Sequence, residues 1–479
     1  MIRSHQAPIG VRPALAAVAA ITLLVACAGP VASPSASTPV SSATPSTAVS
    51  SPSSLPSTST SPTPSAIASG LPANCTSVAT GLLNPRGITV APDGTIFVAE
   101  AGTGGTEPDF PSEPAGSPDA SASASPSASG SPQPVGMHGD TGQVTMITPD
   151  GQQSVFVSGL TSYSFLGETI GPAGVVVADD GTVFISVGGP GPGLAQFVPA
   201  GTAGWVVSVD ITGTVTPLAN IAQYERDNNP DPNQIDSNLG GMAIGTDGLL
   251  YVADSGGNTV YTVDPASGEI NVAAVIPGIP SPDGAANPER GGAAEIDPVP
   301  TSVFADPAGG VWVGLLTGAA LWGTPDAAKI IHVGTDGTIT DAVAGVNMVT
   351  GVAVATDGSV YASELSTSFV TTPPSPGDVV VAQAGGTPEV AFDMLPFPYG
   401  LAFAPDGQSI YIVINSTGST DASPMGEVLN CQIPAGPVGT PAASPAASAS
   451  PGASASAPAS TEPSPIESTE PSSSPSTSP

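Results

Sequence analysis

Short runs of alternating apolar residues on either side of a tight turn form the basic unit of this chain. In residues 87–102 (GITVAPDGTIFVAEAG), Ile88 and Val90 precede an Asp-Gly turn, and Ile96 and Val98 follow it. Alternation with a period of two residues is typical of β-strands, and Asp-Gly is a favoured turn sequence. This stretch therefore predicts a β-hairpin.

The hairpin recurs five more times in weaker forms, and a second, fainter hairpin lies between successive copies. Each unit therefore holds four strands. Such units are typical of propeller blades, which stack together because one blade cannot bury its own faces. We predict an all-β chain that forms a six-bladed β-propeller. The further first hairpins begin at Ala173, Gly240, Thr301, Gly351 and Gly400, and the second hairpins begin at Gly142, Gly204, Asn258, Ala328 and Asp378.

The two ends of the repeat region complete one blade between them. Residues 76–84 (TSVATGLLN) have the pattern of the fourth, outermost strand of a blade. Residues 426–433 have the pattern of a third strand, and the repeat region ends there. Pairing them closes the ring and removes an open sheet edge. Cys75 and Cys431 then lie beside each other on antiparallel strands, which predicts a disulfide in an exported protein. Two unpaired buried thiols are the alternative.

Residues 1–26 have the features of a bacterial lipoprotein signal peptide. Arg3 and Arg12 precede an uncharged run that ends in small residues just before Cys27. We predict that Cys27 becomes the lipidated first residue and anchors an exported protein to a membrane, on its extracytoplasmic side. A plain secretory signal with an incidental cysteine is the alternative.

Three segments are dominated by Ser, Pro, Ala and a few other small or polar residues. They are a linker at residues 27–73, a tail at residues 435–479, and an insertion at about residues 103–134 inside the first unit. Such segments bury too little apolar surface to offset the entropy lost on ordering. We predict that all three are disordered and that the insertion adds no strand. The propeller then spans residues 74–434.

The charge balance excludes one class of partner. The chain has 6 Lys and Arg against 39 Asp and Glu, which gives a net charge of −33. Such a chain repels nucleic-acid phosphates and anionic lipid head groups but attracts cations. We expect no nucleic-acid partner and a monomeric protein whose ligand is a small molecule, a polysaccharide or another protein.

Candidate binding residues lie on one predicted face. The turns within hairpins fall on one face of a propeller, and the longer connections, where function usually resides, fall on the other. Glu100, Asp254 and Glu364 end the second strand of three blades at that second face and would form a partial ring of ligands suited to Ca²⁺. Alternatively, each acid accepts hydrogen bonds from turn amides. Arg86, near the channel, would contact an anion or neighbouring acids.

A denser group of oxygen-bearing side chains precedes the third blade, in residues 227–238 (DNNPDPNQIDSN). It resembles a calcium-binding EF-hand loop only superficially, because Pro232 replaces the required glycine and no glutamate closes the loop. A loop that hydrogen-bonds to itself or to solvent is the alternative. The candidate ligands in this segment are Asp227, Asn229, Asp231, Asp236 and Asn238.

Catalytic groups are scarce. Outside the signal peptide the histidines are His138 and His332, and the sequence has neither a nucleophile elbow nor paired His ligands. We name no catalytic residue and interpret the protein as a cell-surface module that binds a ligand or a protein. The alternative is a calcium-dependent hydrolase or lactonase with its site at the channel mouth, because such propellers use only Glu, Asp and Asn as metal ligands.

The motifs also carry a family resemblance. Residues 250–258 (LYVADSGGN) are similar to NHL repeats, and a series of motifs across residues 76–433 resembles the ScyD/ScyE family of exported propellers. The resemblance implies a six-bladed ring and brings no established catalytic residues. The chain departs from it by the insertion and by the linker. The motifs are NPRGI from Asn84, AEAGTGG from Ala99, GQV from Gly142, YERDNNPD from Tyr224, DSN from Asp236, ADSGGN from Ala253 and VPTSV from Val299.

Overall fold

Six antiparallel sheets surround a central channel, which confirms the predicted six-bladed β-propeller. Five sheets have four strands, and the sheet of blade one carries two further short strands. The signal peptide, Cys27, most of the linker, most of the insertion and the tail lie outside the described residues. The computed structural model describes residues 71–109, 136–165, 168–189, 191, 199–233, 235–287 and 290–433.

Blade one contains part of the predicted insertion. The first strand among the described residues is β1 (Cys75–Leu82), which belongs to blade six. The prediction that the insertion adds no strand is wrong for its first residues, because Glu107–Asp109 pairs with the start of the long third strand. Blade one comprises β2 (Pro85–Val90), β3 (Ile96–Glu100), β4 (Glu107–Asp109), β5 (Gly136–Ile147), β6 (Gln153–Phe165) and β7 (Glu168–Ile170).

A short helix follows blade two. It is α1 (Ile221–Asn228), and it begins where the Asn220 side chain accepts a hydrogen bond from the backbone N–H of Gln223. No helix among the described residues has the length and hydrophobicity needed to cross a membrane.

Blade two comprises β8 (Pro172–Val177), β9 (Val183–Val187), β10 (Trp205–Val209) and β11 (Val215–Asn220), and blade three comprises β12 (Leu239–Ile244), β13 (Leu250–Asp254), β14 (Thr259–Val263) and β15 (Ile270–Val275).

The second half of the ring repeats this plan. A small two-stranded sheet, β16 (Ile279–Pro280) with β17 (Glu295–Ile296), precedes blade four, and a 3-10 turn (Ala319–Leu321) lies within that blade. The strands are β18 (Pro300–Ala305), β19 (Val311–Leu315), β20 (Ala328–Val333) and β21 (Ile339–Val346) in blade four, β22 (Val349–Val354), β23 (Val360–Glu364), β24 (Gly377–Ala382) and β25 (Glu389–Leu395) in blade five, and β26 (Leu401–Phe403), β27 (Ser409–Ile414) and β28 (Gly426–Gln432) in blade six.

Packing between neighbouring blades forms the core. The second strands β3, β9, β13 and β23 are buried along their whole length, because each blade is covered on both faces. Large hydrophobic clusters join each blade to the next around the ring. This arrangement explains why no single blade is a stable unit.

The inner strands approach one another closely at glycines. A Cβ atom on Gly87 would overlap the carbonyl oxygen of Ala173 in the next blade, and one on Gly240 would lie 2.7 Å from the carbonyl oxygen of Thr301. The channel between the inner strands contains a cavity of about 50 Å³. Since about 10–15 Å³ of such volume is enough to hold one water molecule, this cavity has room for a few water molecules.

The ring closes in blade six as predicted. β1 is the outermost strand of that blade and pairs with β28, with Cys75 opposite Cys431. The two cysteines are joined in a disulfide, with their Cα atoms 4.0 Å apart. The predicted disulfide is therefore confirmed, and it fastens the first of the described strands to the last.

Candidate functional site

The long connections meet at one end of the blades. Asn84, in the connection that leads into blade one, donates hydrogen bonds to the carbonyl oxygens of Gly102 and Ser419, which lie in connections of blades one and six. We call this end the loop face. The disulfide lies at the opposite end, the turn face, where the backbone N–H of Gln432 donates to the carbonyl oxygen of Asn74. The chain therefore enters and leaves the propeller at the turn face.

Glu100, predicted as a cation ligand, is fully buried and serves its own blade. Its carboxylate accepts hydrogen bonds from the backbone N–H of Leu83 at 2.6 Å, from the Gln143 amide at 3.0 Å and from the Thr145 hydroxyl. Burial raises the pKa of Glu100, and these hydrogen bonds oppose the rise. The carboxylate thus holds the connection that enters blade one.

Asp254 and Glu364 have the same role in blades three and five. Asp254 is buried and accepts the backbone N–H of Asn238 and the Ser237 hydroxyl, each at 2.8 Å. Glu364 accepts the backbone N–H of Asn347 at 2.9 Å. The described residues contain no group of three or more His, Cys, Asp or Glu side chains placed to hold a metal ion. The hydrogen bonds therefore agree with the alternative in which these acids bind turn amides.

Arg86 lies on the loop-face side of blade one and is partly exposed. Its guanidinium carbon lies 4.7 Å from the centroid of the Tyr399 ring, and one of its nitrogens donates to the carbonyl oxygen of Thr169 at 3.0 Å. A cation over an aromatic face is attracted by the ring quadrupole. Arg86 thus bridges blades one and six while its side chain stays within reach of solvent.

The candidate segment at residues 227–238 divides into exposed and buried parts. Asp227 is exposed at the end of α1 and accepts a hydrogen bond from Gln223 at 2.9 Å. Asn229 ends the helix in the left-handed conformation, which asparagine tolerates. Asp231 is buried and bound to Arg290 at 2.6 Å. Asn238 donates its backbone N–H to Asp254. The exposed part of the segment is held by contacts within the helix, whereas the buried part is held by Arg290 and by blade three.

Beneath this segment lies a buried group of carboxyl groups that we call the acid cluster. Glu225, on α1, accepts a hydrogen bond from the Tyr261 hydroxyl at 2.7 Å. Asp236 is 6% exposed, and its Oδ1 atom is buried without a hydrogen-bond partner. Arg290 is the guanidinium within the cluster, and it contacts Asp231 and Asp297. The acid cluster consists of Glu225, Asp231, Asp236, Asp254 and Asp297.

Burial and mutual repulsion favour the neutral form of two members of the cluster. Burial, followed by the charges of Asp254 and Asp231, raises the pKa of Glu225 to about 8. Burial, together with the charges of Asp254, Glu225 and Asp297, raises the pKa of Asp236 well above its ordinary value. The sequence predicted Asp231, Asp236 and Asp254 as candidates but missed Glu225, which was marked only by its place in the YERDNNPD motif and on the apolar side of a short helix.

Three aromatic side chains form a second group on the loop face, the aromatic cluster of Trp322, Phe369 and Phe397. The ring centroids of Trp322 and Phe369 are 5.2 Å apart, and those of Phe369 and Phe397 are 6.4 Å apart. All three rings are partly exposed, and neighbouring Val370 is 74% exposed. The sequence did not predict this cluster, because its members are single aromatic residues in three separate irregular connections.

Comparisons with known proteins give structural likeness alone. No family model and no curated protein matches the sequence, so the resemblance to the ScyD/ScyE family stays a prediction. The fold is similar to virginiamycin B lyase from Staphylococcus aureus (11% identity, 74% of this chain and 98% of that chain, TM-score 0.39) and to the PQQ-bound aldose sugar dehydrogenase from Streptomyces coelicolor (13% identity, 75% and 99%, TM-score 0.37). Likeness at this level carries no conclusion about activity or ligand.

Proposed function

We propose that this protein is an exported, lipid-anchored propeller that binds a ligand or partner on its loop face. The observation that carries the proposal is the difference between the two faces. The loop face has the long connections, the aromatic cluster and Arg86, whereas the turn face has short hairpin turns and both chain ends. Binding residues commonly lie on loops that a rigid scaffold positions.

The channel itself does not supply a comparable site. Its cavity of about 50 Å³ is far smaller than the roughly 300–1,000 Å³ typical of ligand pockets. The acids predicted for the channel mouth are engaged with backbone amides. A ligand is therefore expected to lie across the loop face rather than inside the ring.

The chemistry of the loop face favours an uncharged or cationic ligand. The aromatic cluster offers ring faces, and the connection that contains Phe369, residues 365–376, has no charged residue but several Ser and Thr. The net charge of −33 repels anions at longer range. A neutral polysaccharide or an apolar or cationic peptide segment fits these properties, in agreement with the predicted polysaccharide or protein partner.

The anchor places this face away from the membrane. Both ends of the propeller lie at the turn face, so a linker from a lipidated Cys27 would reach the ring on that side. The loop face would then point outward, where a soluble ligand or a neighbouring surface has access to it.

Binding to a panel of neutral polysaccharides and cationic peptides, measured by calorimetry, tests the proposal. Trp322→Ala and Phe369→Ala should each weaken binding of a responding compound about tenfold, since buried aromatic contacts dominate such interfaces. Ile211→Ala is the matched control, because Ile211 is an exposed apolar residue in a hairpin turn on the other face. Loss of binding in the control with none in the aromatic variants would place the site on the turn face and overturn the proposal.

A further inference from the structure

The acid cluster lies where a helix-containing connection covers a blade. The connection runs from α1 to the start of β12, and we call it the clasp, residues 221–233 and 235–238. Its contacts with blade three include the hydrogen bond from the Tyr261 hydroxyl to Glu225 and the bond from the Ser237 hydroxyl to Asp254. Carboxyl groups therefore fasten the clasp to blade three beside the hydrophobic packing of Ile221 and Tyr224 against that blade.

Negative charge exceeds positive charge among the groups that face one another here. α1 presents Glu225, the rest of the clasp presents Asp231 and Asp236, blade three presents Asp254 on β13 and Tyr261 on β14, and the connection after blade three presents Arg290, Glu295 and Asp297. Ionised carboxylates gathered in a buried site repel one another, and each also loses its hydration.

The two terminal nitrogens of Arg290 are engaged by carboxylates, whereas its Nε is buried without a hydrogen-bond partner. The guanidinium lies 2.6 Å from Asp231, 3.2 Å from Asp297 and 3.5 Å from Glu295. Burial raises the pKa of Asp254, and the amides of three residues and a hydroxyl that bind this carboxyl group oppose the rise. Glu225 accepts a hydrogen bond from the uncharged Tyr261 hydroxyl, and the Oδ1 atom of Asp236 is buried without a hydrogen-bond partner.

We propose that the clasp is a pH-sensitive element, closed over blade three while Glu225 and Asp236 carry protons and loosened when both carboxyl groups ionise. A protonated carboxyl group avoids the repulsion of Asp231, Asp254 and Asp297 and needs no counter-ion. An ionised carboxylate must either remain buried among these negative charges or become exposed to water. Movement to water requires α1 to leave blade three, because Glu225 is fully buried beneath it.

The direction of the effect follows from the proton balance. Glu225 has an ordinary pKa of 4.5 when exposed and about 8 when the clasp is closed, so the closed form binds the proton more tightly. The free energy of closure therefore does not change with pH below about pH 4.5. Closure becomes less favourable as the pH rises from there toward 8. Within that window the ratio of closed to open forms falls about tenfold for each pH unit through Glu225 alone.

Hydrogen exchange read by mass spectrometry, between pH 5 and pH 8 with EDTA present, tests the proposal on the full chain. After correction for intrinsic exchange rates, amides of residues 221–233 should lose at least about tenfold in protection, while those of blade four's β19, which has no ionisable side chain, change less. Glu225→Gln with Asp236→Asn should abolish most of the loss, since the amides keep similar shapes but cannot ionise. Asp227→Asn, an exposed acid on the same helix, should behave like wild type.

Trypsin supplies a second measurement that does not depend on exchange rates. Arg226 lies within α1, so cleavage after it at pH 7.5 reports loosening of the clasp. The Glu225→Gln and Asp236→Asn variants should be cut more slowly there than wild type. Equal protection of residues 221–233 at pH 5 and pH 8 would overturn the proposal, as would a double variant that keeps the wild-type pH dependence.

Discussion

Glu364 and Asp378 lie opposite each other on β23 and β24, and both side chains are buried. Burial raises the pKa of Glu364, and the nearby charge of Asp378 raises it further. Burial also raises the pKa of Asp378. Two carboxyl groups this close do not readily ionise together, so the pair retains a proton at a pH where exposed acids have lost theirs.

We expect this pair to make the propeller less stable at pH 8 than at pH 5. The folded pair binds a proton that the unfolded chain releases, so the free energy of unfolding falls by about 1.4 kcal/mol for each unit of pKa difference. Asp378→Asn should reduce this dependence, whereas Glu389→Gln, an exposed change in the same blade, should leave it intact. Urea unfolding at both pH values measures the effect. Identical pH dependence in all three proteins would be evidence against a shared proton.

Reduction of the disulfide should lower the melting temperature markedly. The bond joins Cys75 to Cys431, which are 356 residues apart in sequence. In the chain-entropy model, closing so long a loop stabilises the fold by at most about 5 kcal/mol. Differential scanning calorimetry with and without a reductant checks this. Cys75→Ser with Cys431→Ser serves as the control, because it should melt at the lower temperature under both conditions.

Replacement of Glu100 should cost stability whether or not calcium is present. Glu100→Ala leaves the buried backbone N–H of Leu83 and the side chains of Gln143 and Thr145 without their acceptor, which costs roughly 3 kcal/mol. Chemical denaturation in EDTA and in 1 mM Ca²⁺ distinguishes a role as a calcium ligand from a role as a hydrogen-bond acceptor within blade one. If calcium stabilises wild type but not the variant, Glu100 binds the cation and our account of its role is wrong.

Lipidation of Cys27 remains a prediction about residues outside the described ranges. Mass spectrometry of the mature N-terminus should find a diacylglycerol-modified Cys27, and Cys27→Ser should release the protein to the medium or leave its signal peptide uncleaved. An unmodified mature terminus at another residue would favour the plain secretory signal.

The local hydrophobic pattern predicted most of the fold because most strands of a propeller pair with the strand that precedes or follows them in sequence. The hairpin at residues 87–102 became β2 and β3, and the matching of residues 76–84 to an outer strand predicted both the ring closure and the disulfide. Strand β4 escaped prediction because three residues in a low-complexity segment form a strand only where β5 extends to meet them.

The candidate site was less predictable, since its contacts join segments far apart in sequence. The pattern placed Asp231 in an oxygen-rich loop, but its partner Arg290 is 59 residues away in another connection. Likewise, Glu225 is buried only because Tyr261 and blade three lie beneath α1. Burial of this kind depends on the path of the loops, which periodicity does not describe.

The pairing of β1 with β28 also determines when the molecule can be completed. The first strand to be synthesised must wait for the last, 356 residues later, which takes roughly 20–70 s at ordinary translation rates. Until then β1 has no strand to pair with, and blade one has no finished neighbour on that side. The ring is therefore assembled only after the whole repeat region has been made, and a chain that stops short of β28 keeps an unpaired edge open to aggregation.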